Sequence, residues 1–329
     1  MSASDSQDSS APTILIPGQM HPRVVERLGA AFPLIELAEG DPALLTADMK
    51  ASVRGIASMG RVDAAFIDAL PKLEIIANFG VGYDAVDARH AGQRGVMVTN
   101  TPDVLTEEVA DTAVGLLINT VRELPRAEAW LRGGRWVRDG NYPLTSTLRG
   151  RRIGIFGMGR IGQAIARRLE AFGLTIAYHN RRRVEGLAYD YYPTLRDLAL
   201  AVDTLVSVVP ATPQTAKIVN AEIFAALGAN GVFVNVGRGA TVDEAALVEA
   251  LSKGTILAAG LDVFADEPNV PQALIDLPNA TLLPHVASAT ILTRQAMADL
   301  VADNVFSWFS VDRRALTPVP ETVHVKAKV

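Results

Sequence analysis

Cysteine is absent from the chain of 329 residues, which excludes disulfide bonds, thiolate nucleophiles and cysteine-ligated metal sites. Long hydrophobic runs are absent too, because no apolar stretch approaches the ~18 residues that a membrane-spanning helix needs. Residues 1–10 (MSASDSQDSS) carry acids and serines without an apolar segment, so they indicate a disordered tail rather than a secretory signal. We therefore expect a cytoplasmic protein that has no membrane contact and no metal site.

Histidine is scarce. Only five occur, at positions 21, 90, 179, 285 and 324, so a mechanism that uses histidine has few candidates. The net charge of −5 argues against a protein that binds nucleic acid through bulk positive charge. Hydrophobic residues nevertheless make up 49% of the chain and charged residues 20%, which allows a large core. A chain of this length predicts two domains.

Short apolar runs alternate with helical patterns along the first hundred residues. The runs are Thr13–Ile16, Leu34–Leu37, Gly55–Ala57, Ile75–Ala77 and Val96–Thr99. Helical patterns such as Arg23–Ala31 and Ala64–Leu70 separate them. Continuous apolar strands between helices are typical of a parallel sheet that is covered on both faces.

A second series of strand-like runs begins at Arg151. The runs start near Ile153, Thr175, Thr204, Val232, Ile256 and Thr281, at intervals of 22 to 29 residues. Each interval accommodates one strand and one crossover helix, so the series predicts a doubly wound sheet of six strands. A helix is predicted over Glu107–Arg122, with Thr106 as its cap, and another long helical pattern covers Ser288–Phe309.

The sharpest local motif is the glycine-rich segment Gly157-Met158-Gly159-Arg160-Ile161-Gly162. It follows the apolar run Arg152–Phe156 and precedes a helix predicted over Gln163–Phe172, which is the context in which such loops bind a dinucleotide. Gly157 permits the tight turn, Gly159 lets the backbone approach the pyrophosphate, and Gly162 lets helix and strand pack closely. The alternative is a glycine-rich turn that binds no ligand.

The residues after the second strand of this series bear on the choice between NAD(H) and NADP(H). Sites that prefer NAD place an acid there to hold the ribose 2′-hydroxyl, whereas this chain has Asn180 followed by Arg181, Arg182 and Arg183. A carboxylate would repel a 2′-phosphate, and guanidinium groups pair well with phosphate oxygens. We therefore predict that this turn binds NADP(H) in preference to NAD(H). The alternative is a solvated basic turn.

Three loops deliver an arginine, a glutamate and a histidine to the carboxyl edge of the second sheet, where a doubly wound fold binds its ligand. Arg238 follows the fourth strand of the series, Glu267 the fifth and His285 the sixth. These residue types suit the reduction of a 2-keto acid, because His285 can protonate the carbonyl oxygen and Glu267 can orient the imidazole. Arg238 would hold the substrate carboxylate by paired hydrogen bonds. Each residue taken alone is more simply explained as a loop or surface residue without a catalytic role.

Taken together, these motifs resemble the D-isomer-specific 2-hydroxyacid dehydrogenases, and within them the NADPH-dependent glyoxylate/hydroxypyruvate reductases. The resemblance extends from Thr13 onward. The segments that carry it are Ile75–Asp84, Thr99–Pro102, Gly157–Gly162, Asn235–Gly239, Leu261–Phe264, Glu267-Pro268 and Pro284-His285. It implies an α/β fold with a Rossmann-type doubly wound parallel sheet domain at residues 102–287. A discontinuous flavodoxin-like α/β substrate domain would comprise residues 11–101 and 288–329.

The resemblance also implies the roles of single residues in reducing small 2-keto acids, glyoxylate or hydroxypyruvate. Arg238, Glu267 and His285 would form the catalytic triad. The backbone N–H groups of Val81 and Gly82 would bind the substrate together with Arg238 and His285. The residues that would contact NADP(H) are Thr106, Gly157, Met158, Gly159, Arg160, Ile161, Gly162, Asn180, Arg181, Arg182, Val209, Pro210, Thr215, Val236, Gly237, Arg238, Asp262 and His285. The active site would lie in the cleft between the domains of a homodimer.

Several alternatives accompany this interpretation. A phosphoglycerate dehydrogenase usually prefers NAD, and a formate dehydrogenase would pair its histidine with glutamine rather than Glu267. Larger or aromatic 2-keto acids stay open as substrates. A non-enzymatic cofactor sensor of the corepressor type is disfavoured by the intact triad. We also hypothesise that the segment Trp136–Leu144 (WVRDGNYPL) reaches the partner's cleft and shapes its pocket; the alternative is a loop that only packs at the interface.

Overall fold

The computed structural model describes residues 11–327, so the predicted disordered tail at residues 1–10 lies outside the described residues. The described chain forms two compact units: a continuous one, Thr106–Thr290, and one that combines the residues before and after it. Each unit holds one sheet, and every strand pair in both sheets is parallel. The predicted α/β class is confirmed.

The secondary structure alternates between strands and helices. The strands, in chain order, are β1 (Thr13–Pro17), β2 (Leu34–Leu37), β3 (Val53–Ser58), β4 (Ile75–Asn78), β5 (Met97–Thr99), β6 (Arg152–Phe156), β7 (Thr175–His179), β8 (Asp190–Tyr192), β9 (Thr204–Ser207), β10 (Val232–Asn235), β11 (Ala258–Leu261) and β12 (Ala280–Leu282). The α-helices are α1 (Pro22–Gly29), α2 (Ala47–Ser52), α3 (Ala64–Asp68), α4 (Ala88–Gln93), α5 (Thr106–Arg122), α6 (Leu124–Arg132), α7 (Arg135–Asp139), α8 (Arg160–Glu170), α9 (Leu195–Ala201), α10 (Ala221–Leu227), α11 (Glu244–Ser252), α12 (Gln272–Ile275) and α13 (Ile291–Phe309). Within residues 11–327, no helix combines the length and the apolar character needed to cross a bilayer.

The sheet of the discontinuous unit has the strand order β2-β1-β3-β4-β5. This is the order of flavodoxin-like folds, as expected. The inner strands are nearly continuous apolar runs, and Ile56 and Ile76 at their centres are fully buried. The segment after α13 returns to this sheet, where the Val319 N–H donates to the Val98 carbonyl oxygen at 2.9 Å. The unit is therefore assembled from both ends of the chain.

The sheet of the continuous unit has the order β12-β11-β10-β9-β6-β7-β8. The strand order reverses between β6 and β9, which lie side by side, and doubly wound folds bind their ligands at the carboxyl ends of such a pair. The crossover helices begin where the sequence offers a side-chain cap. Thr194, Asn220 and Asp243 each accept a backbone N–H from the first turn of the helix that follows.

The structure corrects several local predictions. The second sheet has a seventh strand, Asp190–Tyr192, which pairs only with β7 at the sheet edge and is too short for an apolar pattern to reveal it. The helix after the glycine-rich loop begins at Arg160 rather than Gln163, because the last glycine of the motif lies inside its first turn. Thr106 is the first residue of α5 rather than the residue before it, and α13 begins three residues after Ser288.

Candidate active site

The glycine-rich loop lies between β6 and α8, at the reversal of strand order. Gly157 has φ +105°, a backbone conformation that residues with a side chain rarely adopt. A Cβ at this position would lie 2.8 Å from Val209 Cγ1. A Cβ on Gly162 would overlap the carbonyl oxygen of Gly157. A Cβ on Gly159, in contrast, would meet no atom within 4 Å. The loop therefore needs Gly157 and Gly162 for its own fold, whereas the space beside Gly159 is open.

The first turn of α8 offers backbone N–H groups beside that space. Gly159 is the N-cap residue and has no side chain that could accept a hydrogen bond from the helix. The Gln163 N–H donates to the Gly159 carbonyl oxygen at 2.9 Å, and the N–H groups of Ile161 and Gly162 have no acceptor among the described residues. Such groups, together with the helix dipole, favour an anion at this end of the helix.

Asn180 follows β7 directly, and its side-chain oxygen accepts the Met158 N–H at 2.7 Å. The amide thereby fastens the glycine-rich loop to the end of the neighbouring strand. Three exposed arginines, 181 to 183, come next. Across residues 11–327, no hydrogen bond or ion pair engages these three side chains. The turn therefore carries positive charge without a neutralising carboxylate.

Arg238 stands in a loop after β10 that is held on both sides. The Asn235 amide donates to the Arg238 carbonyl oxygen at 3.0 Å. A Cβ on Gly239 would overlap the carbonyl group of Phe264, so the loops after β10 and β11 pass in direct backbone contact. This contact brings Arg238 to the loop that also carries Glu267.

Glu267 and His285 form the pair that the sequence predicts. Oε2 of Glu267 lies 2.7 Å from Nδ1 of His285, and Oε1 accepts the Phe264 N–H at 2.9 Å. A carboxylate can only accept, so the proton of the first bond sits on Nδ1. The histidine side chain is 44% exposed, and Nε2 is the ring nitrogen that does not bond Glu267. The pair can therefore deliver or take up a proton at Nε2.

Asp262 is fully buried and holds the backbone on which His285 stands. Its carboxylate oxygens accept the N–H groups of Val286 (2.7 Å) and Ala287 (2.9 Å), and its carbonyl oxygen accepts the His285 N–H (2.9 Å). Burial raises the pKa of the Asp262 carboxyl, and these two side-chain bonds together with the nearby His285 act in the opposite direction. His285 has φ +52°, a conformation that a non-glycine residue keeps only when its surroundings impose it.

In the discontinuous unit, Val81 and Gly82 lie in a loop whose carbonyl groups are tied back. Asn78 Nδ2 donates to the carbonyl oxygens of Gly80 (3.2 Å) and Gly82 (3.1 Å), and Asn100 Nδ2 donates to that of Val81 (2.8 Å). The N–H groups of Val81 and Gly82 have no acceptor in the described part of the chain. Consecutive N–H groups in this state are suited to hold an anion such as a carboxylate.

Further residues expected to contact the cofactor lie in the loop after β9. Val209 is buried and Pro210 is exposed. Thr215 uses its hydroxyl to close the loop, since it donates to the Pro210 carbonyl oxygen at 2.8 Å and accepts the Thr212 N–H at 2.8 Å. A Cβ on Gly237 would lie 3.0 Å from Val209 N, so the loops after β9 and β10 also pass closely.

A comparison with known families decides which fold family this geometry represents. The profile described as "D-isomer specific 2-hydroxyacid dehydrogenase, NAD binding domain" matches residues 114–287, more than half of the chain. The chain belongs to the D-isomer specific 2-hydroxyacid dehydrogenase family. The resemblance inferred from the motifs is confirmed, and the matched range lies inside the continuous unit.

Relatives of this 2-hydroxyacid dehydrogenase match over most of its length. Glyoxylate/hydroxypyruvate reductase A of Arabidopsis thaliana is 48% identical over 268 residues, which is 82% of this chain and 85% of the relative. A hydroxyphenylpyruvate reductase of Plectranthus scutellarioides is 47% identical over 282 residues, 86% of this chain and 89% of the relative. The crystal structure of an NADPH-dependent glyoxylate/hydroxypyruvate reductase of Sinorhizobium meliloti, in complex with NADP and malonate, is 60% identical with a TM-score of 0.94. That structural match covers 97% of this chain and 99% of the other.

The sequence alone does not reveal which residues hold the loops of this dehydrogenase in place. Four asparagines do so: Asn78 and Asn235 end β4 and β10, and Asn100 and Asn180 follow β5 and β7. Each bonds the backbone of a loop at the carboxyl edge of its sheet. The signal that could have found them is an amide at the end of an apolar strand, because an amide can donate and accept at once.

Proposed function

We propose that this dehydrogenase reduces small 2-keto acids, glyoxylate and hydroxypyruvate among them, to 2-hydroxy acids, and that it prefers NADPH to NADH. The observation that carries the proposal is the Glu267–His285 pair, 2.7 Å apart, on the sheet edge that also bears the glycine-rich loop. The identities of 48% and 60% to glyoxylate/hydroxypyruvate reductases support the choice of substrates. We further propose that the continuous unit binds the dinucleotide and the discontinuous unit the substrate.

A dinucleotide fits the glycine-rich loop because the loop offers both space and donors. A Cβ on Gly159 would occupy open space, and the N–H groups of Ile161 and Gly162 lie in the adjacent helix turn. These groups hold the pyrophosphate. Residues expected elsewhere along the cofactor are Thr106, Val209, Pro210, Thr215, Val236, Gly237 and Asp262. The bound nicotinamide supplies a hydride to the carbonyl carbon of the substrate.

The protein's own side chains transfer the proton and bind the charged groups of the substrate. His285 donates a proton from Nε2 to the carbonyl oxygen as negative charge develops there, and Glu267 stabilises the doubly protonated ring through Nδ1. Arg238 would bind the substrate carboxylate by paired hydrogen bonds. In the discontinuous unit, the consecutive N–H groups of Val81 and Gly82 are suited to bind a carboxylate. In the oxidative direction the neutral imidazole takes the hydroxyl proton.

The preference for NADPH rests on the turn after β7. Asn180 places no negative charge there, and the exposed guanidinium groups of Arg181 and Arg182 bind the 2′-phosphate. Arg181→Ala should weaken NADPH use by about 1–3 kcal/mol, roughly 5- to 150-fold in KM, because a charge-assisted contact is lost. NADH, which lacks the 2′-phosphate, is the matched control and should change little. Equal or better use of NADH by the unaltered enzyme contradicts this preference.

The substrate class is tested by steady-state rates with a panel of 2-keto acids and both nicotinamides. Glyoxylate and hydroxypyruvate are expected to give the highest kcat/KM. The panel includes hydroxyphenylpyruvate, because a relative that is 47% identical carries that activity in its name. Absence of turnover with every 2-keto acid, combined with tight NADPH binding, would show a cofactor sensor instead. His285→Gln is the negative control for proton transfer.

The segment after α5 supports a proposal about assembly. Trp136, Val137 and Leu144 are 58%, 96% and 103% exposed, which is unusual for large apolar side chains. We propose that they are covered by a second copy of this chain and that Trp136–Leu144 shapes the partner's substrate pocket. Light scattering should give the mass of a dimer. Trp136→Ala and Leu144→Ala should change the ratio of kcat/KM for glyoxylate to that for larger 2-keto acids; an unchanged ratio leaves only a packing role.

A cytoplasmic location stays a prediction.

A further inference from the structure

The Val81–Gly82 loop is connected to α13 by a chain of hydrogen bonds that the mechanism does not use. Asn100 Nδ2 donates to the Val81 carbonyl oxygen at 2.8 Å. The backbone of Asn100 is bound in turn by Thr317, whose hydroxyl donates to the Asn100 carbonyl oxygen at 2.6 Å and whose carbonyl oxygen accepts the Asn100 N–H at 3.3 Å. Asn304 completes the chain, because its Nδ2 donates to the Thr317 hydroxyl at 2.9 Å.

Asn304 anchors this chain firmly. It is fully buried in α13, and its amide makes four hydrogen bonds. Besides the bond to Thr317, Nδ2 donates to the Leu300 carbonyl oxygen at 2.8 Å, and Oδ1 accepts the N–H groups of Leu316 (3.0 Å) and Thr317 (3.1 Å). A saturated buried amide has one orientation, and networks of this kind are rigid. Asn304 therefore fixes the position of the Thr317 hydroxyl. That hydroxyl in turn helps to fix the backbone of Asn100.

We propose that Thr317 is a positioning residue for the substrate carboxylate, acting through Asn100 on the loop that carries the Val81 and Gly82 N–H groups; the inference rests on the function proposed above. N–H groups bind an anion well only when they are already aimed at it. Loss of the Thr317 hydroxyl removes the shorter of the two bonds that hold the Asn100 backbone, so Asn100 holds the Val81 carbonyl group less firmly. The 2-keto acid then binds more weakly, while NADPH binding and proton transfer at His285 are unaffected.

The experiment compares Thr317→Val with Thr322→Val. Thr322 lies in the same C-terminal segment and is fully buried, and its hydroxyl donates to the Val98 carbonyl oxygen at 3.1 Å. The control therefore removes a comparable hydroxyl from a contact with β5 that does not lead to Val81. We expect Thr317→Val to raise KM for glyoxylate about tenfold, the equivalent of one to two hydrogen bonds, with kcat and the Kd of NADPH changed less than twofold. Thr322→Val should leave KM within twofold.

The remaining outcomes are decisive in either direction. Thr317→Ser keeps the hydroxyl and should restore KM, and Thr317→Ala tests the same loss if the valine variant fails to fold. Equal KM values for the wild type and both hydroxyl-free variants overturn the inference, as does an equal KM increase in Thr322→Val, which would indicate general loosening of the segment. If the wild type reduces no 2-keto acid, the proposed function fails and the inference fails with it. If the wild type is active and only the KM effect is missing, the inference alone fails.

Discussion

Replacing Gly159 by alanine should separate cofactor binding from folding. The new Cβ meets no atom within 4 Å, and the residue has φ −82° and ψ −159°, an extended conformation that alanine adopts freely. Stability should therefore be unchanged or rise by ~0.4–1 kcal/mol, because alanine restricts the unfolded chain. In the cofactor complex proposed above, the methyl group would stand where the pyrophosphate approaches the backbone. Losing one charge-assisted hydrogen bond costs ~1.5–3 kcal/mol, so the Kd for NADPH should rise roughly 10- to 150-fold.

Gly162→Ala is the matched comparison, with the same atom added three residues later. Its Cβ would overlap the Gly157 carbonyl oxygen and lie 3.2 Å from Ile155 Cγ2. Helix α8 must move away from β6 to accommodate it, and overpacking of this kind typically costs ~1–3 kcal/mol. In a unit of this size that corresponds to a fall in Tm of about 2–12 °C. This variant should therefore lose stability even without cofactor.

The assay measures the Tm of each variant without cofactor and the Kd for NADPH by fluorescence titration. Gly159→Ala should keep the wild-type Tm and lose affinity, whereas Gly162→Ala should lose Tm first. An unchanged Kd in Gly159→Ala would refute the placement of the pyrophosphate beside that residue. A fall in Tm as large as that of Gly162→Ala would refute the reasoning from open space.

Two further predictions concern other parts of the molecule. Gly239→Ala should lower kcat/KM by about 10²-fold, because the new Cβ would overlap the Phe264 carbonyl group and force apart the loops that carry Arg238 and Glu267. Steady-state kinetics on the folded variant measure this loss, and a loss below threefold would contradict the prediction. Burial, then the hydrogen bond to Glu321, raises the pKa of Tyr83 from 10.0 to about 12. The contribution of the neutral phenol to stability is therefore complete below pH 10 and is lost as the pH rises through 12. Denaturant unfolding at pH 9 and pH 11 should show a larger fall in the free energy of unfolding for the wild type than for Tyr83→Phe.

The strand pattern and the site motifs were readable because they depend on short-range chemistry. Parallel strands that are buried on both faces must be apolar throughout, so β1, β3, β4 and β5 stand out from the polar segments around them. β8 did not stand out, because an edge strand of one exposed and two half-buried residues need not be apolar throughout. The start of α5 differed from the prediction by one residue and that of α8 by three. Helix α8 follows Gly159, an N-cap residue with no side chain that could mark the boundary.

By itself, the sequence determined the α/β class, the family and the identity of the Glu267–His285 pair, because each of these follows from residue types in a fixed order along the chain. The tertiary structure decided what holds the site together. The bonds from Asn180 to Met158, from Asp262 to Val286 and Ala287, and from Thr317 to Asn100 span 22, 24, 25 and 217 residues. No local pattern records such contacts, because the partners meet only after the sheets have formed. The order of residue types thus specifies which chemical groups the site contains, and the folded backbone specifies the position and orientation of each group.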